Sequence, residues 1–183
     1  MTPAVRGAAT GRTPAPFPLS TRGGGTPMTT GLDTFDATLN VTNAWLSEIE
    51  ERVGPGRPVA WRVLGAVLHA LRDRVPLELA AHVGAQLPLL VRGLYYENWH
   101  PAGTPEKART LDGFLARVAE GMTGDPAVAP RDAAEAVFRV MAHRMDPGQV
   151  GKLVNALPEP VQDVWRGVAA ITLPTEKHAA GGG

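Results

Sequence analysis

The chain of 183 residues contains no cysteine, only two serines and few aromatic residues. The missing cysteine excludes disulfides, thiolate nucleophiles and metal sites ligated by cysteine. Neither Ser20 nor Ser47 lies in the Gly-x-Ser-x-Gly pattern of a hydrolase nucleophile, and no glycine-rich phosphate loop precedes a Lys-Ser or Lys-Thr pair. Because no residues combine as nucleophile, base and orienting group, we predict no catalytic residue, no cofactor and no enzyme activity.

The chain also lacks net charge and long apolar runs. Acidic and basic residues number 18 each, and neither half of the chain separates the two signs. Nucleic-acid binding requires a surplus of Lys and Arg on one face, so no nucleic-acid partner is expected. No apolar run approaches the roughly 20 residues that span a bilayer, and the N-terminus has no signal-peptide pattern. We therefore expect a cytoplasmic protein without a membrane partner.

Apolar residues, in contrast, are abundant at 44% and recur at intervals of three and four residues, which is the helical period. Proline and glycine interrupt this pattern at regular points. The pattern predicts an all-α fold with four helices in residues 34–100, a linker at 101–110 and four more helices in 111–172. The apolar stripe of the first predicted helix consists of Phe35, Leu39, Leu46, Ile49 and Val53.

The two ends of the chain have a different composition. Residues 1–33 contain three arginines, five prolines and a run of three glycines, too little apolar surface for a packed core, and they are predicted to be a disordered extension. The glycine run shortly before Met28 permits a second interpretation, in which translation begins at Met28. Residues 173–183 are predicted to be a disordered tail.

The two helical segments share residues at a constant offset of 70 positions. At this offset the spacing of the apolar residues and the positions of the prolines also agree. We therefore predict a tandem duplication of a four-helix unit, with the two copies packed on each other in a compact bundle. The identical positions in the first copy are Ala66, Val67, Arg74, Leu87, Pro88 and Val91, which correspond to Ala136, Val137, Arg144, Leu157, Pro158 and Val161.

Three short motifs resemble a bacterial family known as domain of unknown function 2267. They are His-Ala-Leu-Arg-Asp-Arg at 69–74, Gln-Leu-Pro at 86–88 and Leu-Tyr-Tyr-Glu-x-Trp at 94–99, and the likeness extends from about Phe35 to Trp165. The resemblance implies an all-helical, duplicated fold. It implies no activity, cofactor or catalytic residue.

The densest aromatic stretch of the chain is the best candidate for an interaction surface. Tyr96 and Trp99 are three residues apart, so they share a helix face, and an exposed aromatic pair is typical of a protein interface. Arg72, on the second predicted helix, is expected at the edge of this surface. The partner would be another protein or a second copy of the chain. In the simpler interpretation, Trp99 closes the first unit against the linker or the second unit.

The alternative hypothesis is a small-molecule or metal pocket between the two units, lined by His69, Arg72, Tyr96 and His100. No His-Glu-x-x-His pair is present, so no metal ligand is assigned. The two hypotheses differ in what they require. An interface requires Tyr96 and Trp99 on an exposed apolar patch, whereas a pocket requires both to converge with His69 on a concavity. Arg74 is predicted to be structural, because a cation in the last helical turn binds the terminal carbonyls.

Overall fold

A computed structural model describes residues 32–105, 109–123 and 128–172, with side chains described as far as residue 168. The predicted extension before residue 32, including Met28, lies outside the described residues. So does the predicted tail from residue 173 onward.

The described residues form eight α helices and no strand, which confirms the predicted all-α fold. A short 3-10 helix, Pro101–Gly103, lies within the predicted linker. Among the described residues, no helix is both long enough and apolar enough to cross a bilayer. The helices are α1 (Asp33–Val53), α2 (Arg57–Arg72), α3 (Leu77–Gln86), α4 (Leu89–Tyr96), α5 (Leu111–Gly121), α6 (Pro130–Arg144), α7 (Pro147–Ala156) and α8 (Glu159–Thr172).

Local sequence explains where most of these helices begin. Asp146 caps α7, because its side chain accepts a hydrogen bond of 2.9 Å from the backbone N–H of Gln149. Thr110 caps α5 in the same way, through the N–H of Gly113 at 3.1 Å. Pro76 and Pro88 lie one residue before α3 and α4 rather than in their first turns. Their carbonyls accept the first helical N–H groups, so each proline still marks the start of its helix.

The core is built around α2 and α6, which pack against each other. α2 also contacts α1, α4 and α5, and α6 contacts α1, α5, α7 and α8. One helix of each half therefore packs against the central helix of the other half: α1 packs on α6, and α5 packs on α2. The rings of Phe114, Phe138 and Trp165 stack through this centre, with centroid distances of 6.0 Å and 4.3 Å.

The contacts of the first four helices are repeated by the last four. α1 with α2 matches α5 with α6, and α2 with α4 matches α6 with α8. The exchanged pair α1 with α6 likewise matches α5 with α2. These three contacts thus recur four helices further along the chain.

Part of the apolar stripe of α1 is exposed. Phe35 is 51% exposed and Leu39 is 40% exposed, although both continue the apolar stripe of α1. α1 has 21 residues whereas its counterpart α5 has 11, so the first turns of α1 extend beyond the helices that cover its stripe. We call residues 32–41 the α1 overhang. Burial begins at Thr42 and continues through Trp45.

Candidate functional site

Arg72 is buried, so the prediction that it borders an exposed surface is wrong. Its Nε donates to Asp73 Oδ1 at 2.8 Å, and its Nη1 donates to the carbonyls of Tyr95 and Glu97. Its guanidinium lies 6.0 Å from the Tyr95 ring centre and 5.6 Å from that of Trp99. Because the carbonyl acceptors are at the end of α4, Arg72 ties the last turn of α2 to the last turn of α4.

The four predicted pocket residues do not converge on one concavity. Arg72 and His100 line a small cleft of about 160 Å³, together with Asp73, Thr104 and Arg117. Asp73 Oδ2 lies 3.6 Å from Arg117 Nη2, so the carboxylate is shared by two arginines.

His69 and Tyr96 lie outside this cleft. The Nε2 of His69 lies 2.6 Å from the carbonyl of Leu94, and the Tyr96 hydroxyl donates to the carbonyl of Ala81 at 3.4 Å. Tyr96 stands over Gly84, where an added Cβ would come within 2.1 Å of the phenol oxygen. Both side chains therefore fasten helices together instead of facing a pocket.

The aromatic pair is half-buried rather than displayed. Tyr96 and Trp99 lie with ring centroids 5.4 Å apart, and both pack against the core. The indole Nε1 of Trp99 is buried and makes no hydrogen bond with any described residue. The pair thus meets neither requirement stated above, because it is not on an exposed patch and does not meet His69 on a concavity.

Tyr95, the neighbour of this pair, is a buried hydrogen-bond donor. Its hydroxyl donates to the carbonyl of Ala80 at 3.0 Å. Burial raises the pKa of the phenol; Tyr96 and Asp73 add to the rise, and the charge of Arg72 partly opposes it. The phenol therefore stays protonated at physiological pH and joins α4 to α3.

Arg74 binds backbone carbonyls at the end of its helix. It donates to Ala70 O at 3.0 Å and to Gly113 O at 2.9 Å, so it connects α2 to α5. The corresponding Arg144 instead donates to a carboxylate oxygen of Glu48 on α1, whose other oxygen lies 3.2 Å from His143 Nδ1.

A wide concavity beside α1 was not predicted from the sequence. It is a groove of about 780 Å³ between the α1 overhang, the turn that joins α3 to α4, and the end of α6, and we call it the α1 groove. Its floor includes the buried Trp45, and Leu89 at its side is 57% exposed. The lining residues are Thr34, Ala37, Thr38, Val41 and Trp45 from α1, residues 85–89 and Arg92 from the α3–α4 turn, and His143 and Arg144 from α6.

The other half of the bundle has a smaller groove at the corresponding place. This groove measures about 320 Å³ and is lined by Arg74 and residues 155–158, which correspond to Arg144 and residues 85–88. Linker residues Pro105 and Arg109 contribute to its wall, where the first groove has the α1 overhang. The sequence signal for this difference is the apolar stripe of residues 32–41, which the linker 101–110 lacks.

Metal coordination has little basis in the described part of the chain. No group of three or more His, Asp or Glu side chains comes close enough there to hold an ion.

Comparison with known proteins gives one family. The model of the family described as uncharacterized conserved protein (DUF2267) matches residues 42–164, which is more than half of the chain. The match begins where α1 becomes buried, so the α1 overhang precedes it. No curated protein matches the chain.

Proposed function

This chain belongs to that family of uncharacterized conserved proteins and, since the family description names no activity, we propose a function from the structure: a non-catalytic protein-interaction module that binds a helical partner in the α1 groove. The exposed apolar overhang beside the groove is the observation that carries this proposal. Leu32, Phe35 and Leu39 are 40% to 55% exposed on consecutive turns of one helix. Contiguous apolar side chains of this kind mark interaction sites in soluble proteins.

The size of the groove fits side chains from a partner helix. A cavity of about 150 Å³ holds one benzene molecule, so a groove of about 780 Å³ has room for several large apolar side chains. Burying one Leu or Phe side chain contributes about 1.5–3 kcal/mol, so three anchors would offset about 4.5–9 kcal/mol of the cost of association. An amphipathic helix lying in an apolar groove is a common form of peptide recognition.

The second groove supports the same proposal. We treat the two halves as copies of one unit, a duplication that the shared sequence offset and the repeated helix contacts support. In the second copy, linker residues of the same chain narrow the groove to about 320 Å³. The wider first groove retains the space that a partner would occupy.

The predicted aromatic and arginine residues have a supporting role in this proposal. Arg72 holds the end of α4, and Tyr96 packs against Gly84 on α3. α3 and α4 meet at residues 85–89, which form one wall of the α1 groove. The binding surface is therefore held in position by three side chains that do not line the groove: Arg72, Tyr96 and Trp99.

The alternative function, a small-molecule pocket, has one observation in its favour: Arg72, His100 and Arg117 surround the 160 Å³ cleft. Asp73 already pairs with both arginines, which weakens the cleft as an anion site. A thermal-shift screen with small anions tests it. Binding in the cleft would raise the melting temperature of the wild type but not of Arg117→Met.

Photo-cross-linking tests the interaction proposal. A photoreactive amino acid is placed at Leu89, in the groove, or at Leu77, which is 54% exposed at the first residue of α3 and does not line the groove. In the native host we expect one discrete protein adduct from position 89 and none from position 77. The change Phe35→Glu should abolish the adduct. If position 89 gives no protein adduct, the interaction proposal is wrong.

A further inference from the structure

We infer that the α1 groove binds a second copy of this chain, in a two-fold pair where the α1 overhang of each copy lies in the groove of the other. This inference rests on the proposed function and names its partner. Both complementary surfaces, the exposed overhang and the open groove, are adjacent on one molecule.

The apolar part of the two surfaces matches. The overhang presents Leu32, Phe35 and Leu39, and the groove presents Val41 and Leu89 beside the buried Trp45. A two-fold pair brings the same patch of each subunit together and forms every contact twice. One such pairing covers both exposed overhangs and fills both grooves, whereas a foreign helix that fills the groove leaves the outer stripe of the overhang to be covered by something else.

The charges also match. Asp33 and Asp36 lie in the first turn of the overhang, and both side chains are acidic. The groove contains Arg92, His143 and Arg144. A helix with acidic residues in its first turn therefore fits the basic side of the groove.

Part of the basic charge of the groove is neutralised and part is not. Glu48 pairs with both His143 and Arg144. Arg92 donates to the carbonyls of Ala85 and Leu87 and pairs with no carboxylate among the described residues. Two arginines of the groove, Arg92 and Arg144, thus share one described carboxylate, Glu48, so the groove retains positive charge for an incoming Asp33.

Solution mass is the first test. The full chain has a mass of 19.3 kDa, and sedimentation over a range of concentrations should show a species of twice that mass. Phe35→Glu and Leu39→Glu should each raise the dimer dissociation constant at least about tenfold, because each places a charge among apolar anchors. Leu77→Glu, an equally exposed leucine outside the groove, should leave it unchanged. All three positions are exposed, so far-UV circular dichroism should show an intact fold.

A charge exchange tests the pairing of Asp33 with Arg92. Asp33→Arg and Arg92→Glu should each weaken the dimer about fivefold or more, and the double variant should recover most of the loss. Such a recovery requires a second copy of the chain as the partner. Only in that case does residue 33 of one copy meet residue 92 of the other. If Arg92→Glu lowers the melting temperature strongly, its effect on the dimer cannot be separated from unfolding. The dimer dissociation constants of Asp33→Arg and Phe35→Glu then test the inference.

Several outcomes would overturn the inference. A chain that is monomeric at every concentration would do so, as would a dimer that Phe35→Glu leaves intact. If the chain is monomeric, cross-linking at position 89 shows what else occupies the groove. An adduct with a different protein would leave the proposed function standing. An adduct with residues 1–31 of the same chain would identify that segment as the occupant. No adduct at all would end both proposals.

Discussion

Arg72 shows how a single buried side chain organises this bundle. Its guanidinium satisfies a carboxylate on its own helix and two carbonyls at the end of α4. Burial of a charge is costly unless its donors find partners. In Arg72, Nε and Nη1 each donate to at least one oxygen. The residue that the sequence presented as a candidate contact is therefore an internal clamp, and its effect on binding is through the position of α4.

Replacing Arg72 tests this role. Arg72→Met should lower the free energy of unfolding by about 3 kcal/mol, because two carbonyls and the Asp73 carboxylate lose a buried donor. Arg117→Met removes the more exposed partner of the same carboxylate and should cost at most about 1 kcal/mol. Urea denaturation of both variants measures the difference. Equal losses would show that Arg72 is no more important than a surface ion pair.

Tyr95 gives the bundle a dependence on alkaline pH. The ordinary pKa of the phenol is 10.0, and burial raises it in the folded chain. As pH rises through 10, the unfolded chain loses this proton first, so the stability that is fully present below pH 10 is progressively lost above it.

The variant Tyr95→Phe isolates this effect. At pH 7 it should be about 1 kcal/mol less stable, because the Ala80 carbonyl loses its donor. Above pH 10 its free energy of unfolding should fall less steeply than that of the wild type, by up to about 1.4 kcal/mol per pH unit. Denaturation curves from pH 7 to pH 11.5 provide the measurement. Parallel pH profiles would contradict a raised pKa for Tyr95.

At the scale of helices, close approach and length decide the packing. α5 crosses α2 at Gly121, where an added Cβ would lie 2.6 Å from Cβ and 2.9 Å from Cα of Ala66. The missing side chain thus permits the contact that joins the two halves. α1, in turn, is longer than α5, and the difference in length creates the overhang and its groove.

A pair of glycine substitutions separates packing from helix propensity. Gly121→Ala should destabilise the protein by about 1–3 kcal/mol, since the backbone of α2 must move. Gly93 lies inside α4 with nothing within 4 Å of an added Cβ, so Gly93→Ala should stabilise the protein by about 0.5–1 kcal/mol. Thermal unfolding compares the two. A stabilising Gly121→Ala would show that the helices are not in close contact there.

At the scale of the whole molecule, the two halves depend on each other. α1 lies on α6, α5 lies on α2, and the central helices α2 and α6 face each other. The ion pairs also cross between the halves: Asp73, at the end of α2, meets Arg117 on α5, and Arg144, at the end of α6, meets Glu48 on α1. The buried apolar side chains of both halves belong to one common core cluster.

Separated halves should therefore not fold as monomers. Residues 32–105 and residues 109–172, prepared as two polypeptides, should each lack a cooperative thermal transition, and an equimolar mixture should form a helical one-to-one complex. Circular dichroism and sedimentation of the two chains and their mixture test this. A monomeric half that unfolds cooperatively would show that each unit has an independent core.

Much of the fold was predictable from local patterns. The period of apolar residues determined the helices, and residues such as Asp146 and Pro88 marked their starts to within a residue. These features depend on neighbours in the chain, which the sequence lists directly. The candidate site was predicted less well, because its residues were chosen for chemistry without knowledge of burial. Arg72 is buried by α4, while Tyr96 and Trp99 are half-covered.

The sequence by itself determined the all-α class, the helix order and the family, because each depends on composition, period and short motifs. Only the tertiary structure decided which apolar residues are covered. Phe35 and Ile49 lie on the same stripe of α1, yet Phe35 is exposed and Ile49 is buried. The difference arises because α6 and α2 cover only the later turns of α1, and coverage by distant segments is a property of three-dimensional packing. The groove follows from that unequal coverage.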